Sequence, residues 1–253
     1  MPDDVMSRPA EPPDAVLRYA PHADGVVDLY LPPVLDEPVP LVVYVHGGFW
    51  RTAFDRTHAR PLADALVARG TAVALVEYRR GPDAWPETST DLAAALHALP
   101  GLLAGAGVPT TTTTLVGHSA GGHLVLWLAN EPLPTGLRVR RVVALAPVGD
   151  LRAAVALDMG GGAARDFLGG SPEELPEVYT AADPGTRLAD RPRLEVVVLH
   201  GDRDDAVPVS SSRGLAERYP WLDYRELPGR DHFDVIDPLS PAWRDVRDAI
   251  AGR

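Results

Sequence analysis

Thr110-Thr111-Thr112-Thr113-Thr114-Leu115-Val116-Gly117-His118-Ser119-Ala120-Gly121-Gly122-His123-Leu124-Val125-Leu126-Trp127-Leu128 is the stretch whose reading decides the fold. A β-branched run enters Gly117-x-Ser119-x-Gly121, and an apolar segment with helical spacing leaves it, so the order is strand, sharp turn, helix. Without a Cβ at Gly117 and Gly121, strand and helix can approach closely while Ser119 sits in a strained turn with its hydroxyl presented. Ser119 is therefore the candidate nucleophile.

Outward from this stretch, β and α patterns alternate. Residues 15–20 and 25–31 are short β-type runs joined by Pro21-His22-Ala23-Asp24-Gly25, which predicts an antiparallel hairpin at a sheet edge. Residues 40–46 form a nearly continuous apolar run, the signature of a central strand covered on both faces. Helical spacing over 60–69 and 87–103, strand runs over 71–78, 140–146, 193–200 and 222–227, and helices over 211–218 and 241–250 complete the series. This pattern predicts an α/β fold: a mostly parallel central sheet with helices on both faces and a ligand site at the carboxyl ends of the strands. Residues 150–190, rich in glycine and proline, are too long for a plain connection and read as a small lid-like insert. The acidic, proline-rich residues 1–13 read as a disordered lead-in to a single domain over 14–253.

Composition removes whole classes of function. With no cysteine there is no disulfide, no thiolate nucleophile and no cysteine-ligated zinc. A net charge of −11 argues against nucleic acid or an anionic membrane surface as partner, and no apolar run approaches the roughly 18 residues of a membrane helix. The expectation is a cytoplasmic protein acting on a small molecule, without metal or other cofactor. Oligomeric state leaves no mark in the sequence.

A serine hydroxyl needs a positioned base, and the base needs an acceptor that holds its tautomer. His232, in Gly229-Arg230-Asp231-His232-Phe233-Asp234 after the last strand run, is the candidate base. The acid is expected in His200-Gly201-Asp202-Arg203-Asp204-Asp205-Ala206-Val207-Pro208. Asp204 is placed at the turn just after the strand, Asp202 and Asp205 compete with it, and Asp150 is a distant fallback. Developing negative charge on a tetrahedral intermediate needs backbone donors, each worth on the order of 3 kcal/mol. The Ala120 amide at the helix start supplies one, and Gly48 or Phe49 in His46-Gly47-Gly48-Phe49-Trp50-Arg51 the other. Trp50 and Trp85, with Phe49, are candidate walls of an apolar pocket. His46 is read as a brace of its own loop, and Arg51 as an ion-pair former before a carboxylate receptor.

The chain order Ser119, Asp204, His232 and the elbow together resemble the α/β-hydrolase superfamily over essentially the whole length. Within it, His46-Gly47-Gly48-Phe49-Trp50-Arg51, Gly117-His118-Ser119-Ala120-Gly121-Gly122-His123-Leu124, Asp231-His232-Phe233-Asp234 and Phe167-Leu168-Gly169-Gly170-Ser171-Pro172 are similar to segments of kynurenine formamidases and related carboxylesterases. Phe49 stands where the hormone-sensitive-lipase-like esterases carry a third glycine. The resemblance implies the α/β-hydrolase fold, a Ser119-His232-Asp204 triad, and hydrolysis of a small ester or activated amide through an acyl-enzyme. The alternatives are an aminopeptidase or a biosynthetic acyltransferase or cyclase on the same scaffold, and a ligand-binding member without turnover.

Overall fold

The strands assemble into one eight-stranded sheet, and the computed structural model describes residues 5–253. The strands are β1 (Ala15–Arg18), β2 (Val26–Tyr30), β3 (Val39–Val45), β4 (Ala72–Val76), β5 (Thr110–His118), β6 (Val139–Leu145), β7 (Glu195–Gly201) and β8 (Asp223–Leu227). Their spatial order is β1-β2-β4-β3-β5-β6-β7-β8, antiparallel for β1 with β2 and β2 with β4, parallel thereafter. The helices include α1 (Arg60–Val67), α2 (Trp85–Gly105), α3 (Ala120–Leu128), α4 (Leu151–Ala156), α5 (Ala163–Leu168), α6 (Pro176–Ala182), α7 (Pro184–Arg187), α8 (Ser210–Arg218) and α9 (Trp243–Ala251). The expected α/β-hydrolase architecture, edge hairpin included, is what the chain adopts.

Strand side chains alternate between the two faces, and each face has its own apolar layer. Val43, Val45 and Leu115 pack with Leu92, Leu96 and Leu124 from α2 and α3. Val42, Tyr44 and Val116 pack with Leu62 of α1 and with Val246 and Ile250 of α9. Covering both faces buries β3 to β7, while β1 at the edge alternates and leaves Val16 exposed.

Two regions differ from the sequence reading. From Val5 onward, the lead-in expected to be disordered over 1–13 lies against the fold. Val5 is buried in the apolar layer that α1 and α9 share, Arg8 ion-pairs with Asp237, and the Glu11 amide donates to Asp64 at 3.1 Å. Residues 1–4 of that expectation lie outside the described residues. The 150–190 segment, too rich in glycine and proline to read as regular structure, holds four short helices, α4 to α7. Its glycines conceal α5, because Gly162 and Gly169, both at positive φ, bound that helix rather than interrupt it.

Candidate active site

Four loops at the carboxyl ends of parallel strands converge: 46–51 after β3, Ser119 after β5, 202–207 after β7 and 228–233 after β8. Ser119 has φ 54° and ψ −118°, a strained backbone for a residue with a side chain, and α3 starts at the next residue. The turn is held by Ser119 N–H donating to Leu145 O at 2.9 Å, and by His123 N–H and Val148 N–H donating to Ser119 O. A Cβ at Gly121 would collide with the carbonyl oxygen of Val45, so α3 can pass this close to β3 only with glycine there. The Ala120 N–H is the first donor of α3 and has no acceptor one turn earlier.

The acid and the base meet. His232 Nδ1–H donates to Asp204 Oδ2 at 2.6 Å, and Asp204 Oδ1 accepts from the amides of Ala206 at 2.9 Å and Val207 at 2.7 Å. Burial alone would raise the Asp204 carboxyl, but hydrogen bonds from His200 and His232 hold it well below the usual carboxylate range. Among the competitors, Asp202 accepts from Gly229 N–H, and Asp150 caps α4 and pairs with Arg218. Among the described residues neither His232 Nε2 nor Ser119 Oγ has a hydrogen-bond partner. The ring of His118, the residue before Ser119, lies 4.5 Å from that of His232 and donates through Nε2 to the His232 carbonyl at 2.9 Å. Burial and the neighbouring His232 push His118 well below the ordinary histidine value, so it stays neutral.

The 46–51 loop faces the elbow: a Cβ on Gly47 would lie 3.0 Å from that of Ser119 and 2.8 Å from the carbonyl oxygen of His118. Gly48, Phe49 and Trp50 follow at φ 112°, 49° and 53°. Two non-glycine residues in the left-handed region cost roughly 1–2 kcal/mol each. The surroundings compensate. Trp50 is buried and stacks on Phe167 of α5, with centroids 4.8 Å apart and planes 4° from parallel. Arg51 donates to the carbonyl of Gly160 and, among the described residues, makes no carboxylate pair, contrary to the expectation for it. Behind the loop, the His46 ring is buried with Nε2 at 2.8 Å from Glu77 Oε1 and Nδ1 at 2.8 Å from Gly47 O, as expected of a brace.

Phe49, Trp50, Arg51, Ala163, Asp166 and Phe167 are among the walls of a cavity of about 290 Å³ between the 46–51 loop and the insert. Trp85 does not line it. That ring sits behind Phe167 in the core, edge-on to Trp127, because its place at the start of α2 points it under the insert. The insert roofs this side through His123 Nε2–H to Ala182 O at 3.0 Å and Trp127 Nε1–H to Ala181 O at 3.1 Å. Sequence reasoning misses Phe167 as the partner of Trp50, Glu77 as the partner of His46, and His200 as a second donor to Asp204. The quoted segments that contain Phe167 and His200 do not mark these contacts, and Glu77 lies in no quoted segment. No helix among the described residues is long and apolar enough to cross a membrane.

The model of the BD-FAE family matches residues 27–219. Esterase LipC of Mycobacterium tuberculosis is 29% identical over 225 residues, covering 79% of this chain and 55% of the relative. Kynurenine formamidase of Drosophila melanogaster is 26% identical over 239 residues, covering 91% of this chain and 78% of the relative. The chain spans about half the length of the mycobacterial esterases it matches. Among solved structures, esterase B of Lactobacillus rhamnosis superposes with a TM-score of 0.80 over 99% of this chain and 89% of the other, at 19% identity, a likeness of fold.

Proposed function

The chain belongs to the BD-FAE family, and from that premise we propose that it is a carboxylesterase-like serine hydrolase, cleaving a small ester or an activated amide such as an aryl formamide. The observation that carries the reading is Ser119 in its strained turn, with the start of α3 on one side and the Asp204–His232 pair at 2.6 Å on the other. The relatives support it in kind, an esterase and a formamidase among them.

In this mechanism Ser119 Oγ attacks the substrate carbonyl carbon while His232 Nε2 takes the hydroxyl proton. Asp204 holds Nδ1–H, which leaves the lone pair on Nε2. The tetrahedral oxyanion is met by the Ala120 N–H, where the dipole of α3 adds positive potential, and by the N–H of Gly48 or Phe49. His232 then protonates the leaving alkoxide or amine, and later activates the water that frees the acyl group from Ser119. The 290 Å³ cavity walled by Phe49, Trp50 and Phe167 suits a small acyl or aryl group.

Initial rates on short-chain nitrophenyl esters, an N-formyl arylamine and aminoacyl arylamides rank the substrate classes. We expect esters or the formamide to lead and Ser119→Ala to lower kcat by about a million-fold. Fluorophosphonate labelling that persists in Ser119→Ala refutes the nucleophile, and leadership by the arylamides refutes the substrate class.

A further inference from the structure

His200 lies near the end of β7, its ring fully buried. Its Nε2 is 3.0 Å from Asp204 Oδ2 and 2.9 Å from the carbonyl oxygen of Val207. An ionised carboxylate and a carbonyl both only accept, so Nε2 carries a hydrogen and shares it between them. On the other side of the ring, Nδ1 is 2.7 Å from Oγ of Ser212, a buried residue of α8. With the hydrogen on Nε2, Nδ1 is the acceptor of the ring, and the Ser212 hydroxyl donates to it and fixes the tautomer. A buried chain of hydrogen bonds therefore runs from α8 through β7 to the acid of the site.

We infer that His200 is a positioning residue for Asp204, aiming Oδ2 at His232 through a tautomer set by Ser212. The inference rests on the proposed triad and adds a member to it. Asp204 takes four donors, with the amides of Ala206 and Val207 on Oδ1 and two histidine N–H groups on Oδ2. The amides alone leave the carboxylate free to rock about the bond they grip. The His200 contact stops that motion.

Sharing Oδ2 also has a consequence that a purely structural histidine lacks. Each donor withdraws negative charge from the oxygen, so removing His200 concentrates charge on Oδ2 and strengthens its hold on the His232 proton. His232 then becomes more basic, and the acid limb of the rate profile moves to higher pH. The other ionisable groups facing this cluster stay in place. His118 of β5 lies against His232, Asp202 binds the Gly229 amide, and Glu226 of β8, opposite His200 in register, is held by Arg213 and Tyr224.

The test is the pH dependence of kcat/KM for a nitrophenyl ester in the full chain, in His200→Gln, His200→Leu and Ser212→Ala, with thermal melting of each. His200→Gln keeps an N–H at the position of Nε2 and is expected to retain most of kcat and the acid limb. His200→Leu is expected to lose about 10- to 100-fold in kcat, the scale for loss of a partner that orients a reacting histidine, with KM within about twofold. Its acid limb should rise by roughly half to one pH unit, and that of Ser212→Ala should rise less, in the same direction. An unmoved acid limb in His200→Leu overturns the inference, as does a His200→Gln variant no better than His200→Leu. If His200→Leu does not fold, the direction of the Ser212→Ala limb decides. Fluorophosphonate labelling of Ser119 in each variant keeps the two claims apart: absence of labelling in the parent chain refutes the triad, whereas labelling with unmoved limbs refutes the role of His200 alone.

Discussion

Two buried carboxylate–histidine pairs flank Ser119, and they are built differently. On the β4 side, Glu77 accepts from His46 Nε2 at 2.8 Å, from Arg80 at 2.6 Å, from Arg56 at 3.1 Å and from the Tyr78 amide at 3.1 Å. The His46 ring is occupied at both nitrogens, stacks on Tyr78 with centroids 4.4 Å apart, and its carbonyl accepts from the Tyr78 hydroxyl. On the β7 side, Asp204 binds His232 through Nδ1 alone. A histidine bonded inside the fold at both nitrogens can only hold its neighbours in place, while one bonded at a single nitrogen keeps a lone pair for proton transfer. A carboxylate–histidine pair thus braces the 46–51 loop in one place and, in the proposed mechanism, serves as an acid–base device in the other.

Breaking each pair in turn should separate the two roles. The largest effect is expected from Asp204→Asn, which preserves shape but removes the acceptor that sets the His232 tautomer: kcat should fall about 10⁴-fold with melting little changed. A drop below tenfold would dissolve the contrast. Glu77→Gln should instead cost stability, about 3–5 kcal/mol for breaking a buried pair, read by urea unfolding. A Glu77→Gln protein that unfolds like the parent yet loses as much kcat as Asp204→Asn would show that both pairs are chemical.

Acid sharpens the same comparison. Burial would raise the Glu77 carboxyl, but the His46 hydrogen bond and the neighbouring charges override it and hold the group down to about 2, from an ordinary 4.5. The unfolded chain therefore takes up a proton in a range where the native state refuses it. The stabilisation is complete above pH 4.5 and drains away as pH falls toward 2, a loss of about 3 kcal/mol. Unfolding measured at about pH 5 and about pH 2.5 should show that loss in the parent and not in Glu77→Gln.

The smallest expected effect, of opposite sign, lies in the insert. Asp183, buried at the start of α7, accepts from the amides of Leu151 and Gly185. Burial pushes its carboxyl up to about 6, reinforced by the charge of Asp150 and only partly offset by those amides. The native state binds this proton more tightly than the unfolded chain, so the contribution is full below pH 3.8 and is lost as pH rises through 6. Asp183→Asn, which can still accept both amides, should stabilise the protein at about pH 8 by about 2 kcal/mol. No gain in the midpoint of urea unfolding there would refute that account.

Much of the site is legible in the sequence because its signals are local. Ser119 is marked by glycines two residues away on either side, between a β-branched run and an apolar helix, and all of that lies within one strand–turn–helix unit. Asp204 and His232 are legible by chain order, since each follows a strand run and the parallel crossover rule brings strand ends to one edge. Trp85 misleads because an aromatic near a motif carries no information about which way its helix start faces. The lead-in misleads because proline and acid content predict disorder only while nothing larger offers Val5 and Arg8 a place to pack.

What the sequence alone determines is the alternation of strands and helices and the strand ends on which the candidates Ser119, Asp204 and His232 fall, since each is set by spacing along the chain. What only the tertiary structure decides is which partner each of them keeps. Glu77 reaches His46 across 31 positions, Phe167 reaches Trp50 from an insert more than a hundred residues on, and Ser212 and His200 close on Asp204 from a helix and a strand. Such contacts leave no local pattern, because a buried donor is matched to its acceptor by where the packed sheet and helices bring them. That matching, not residue type, separates the histidine that braces from the histidine proposed to take the proton.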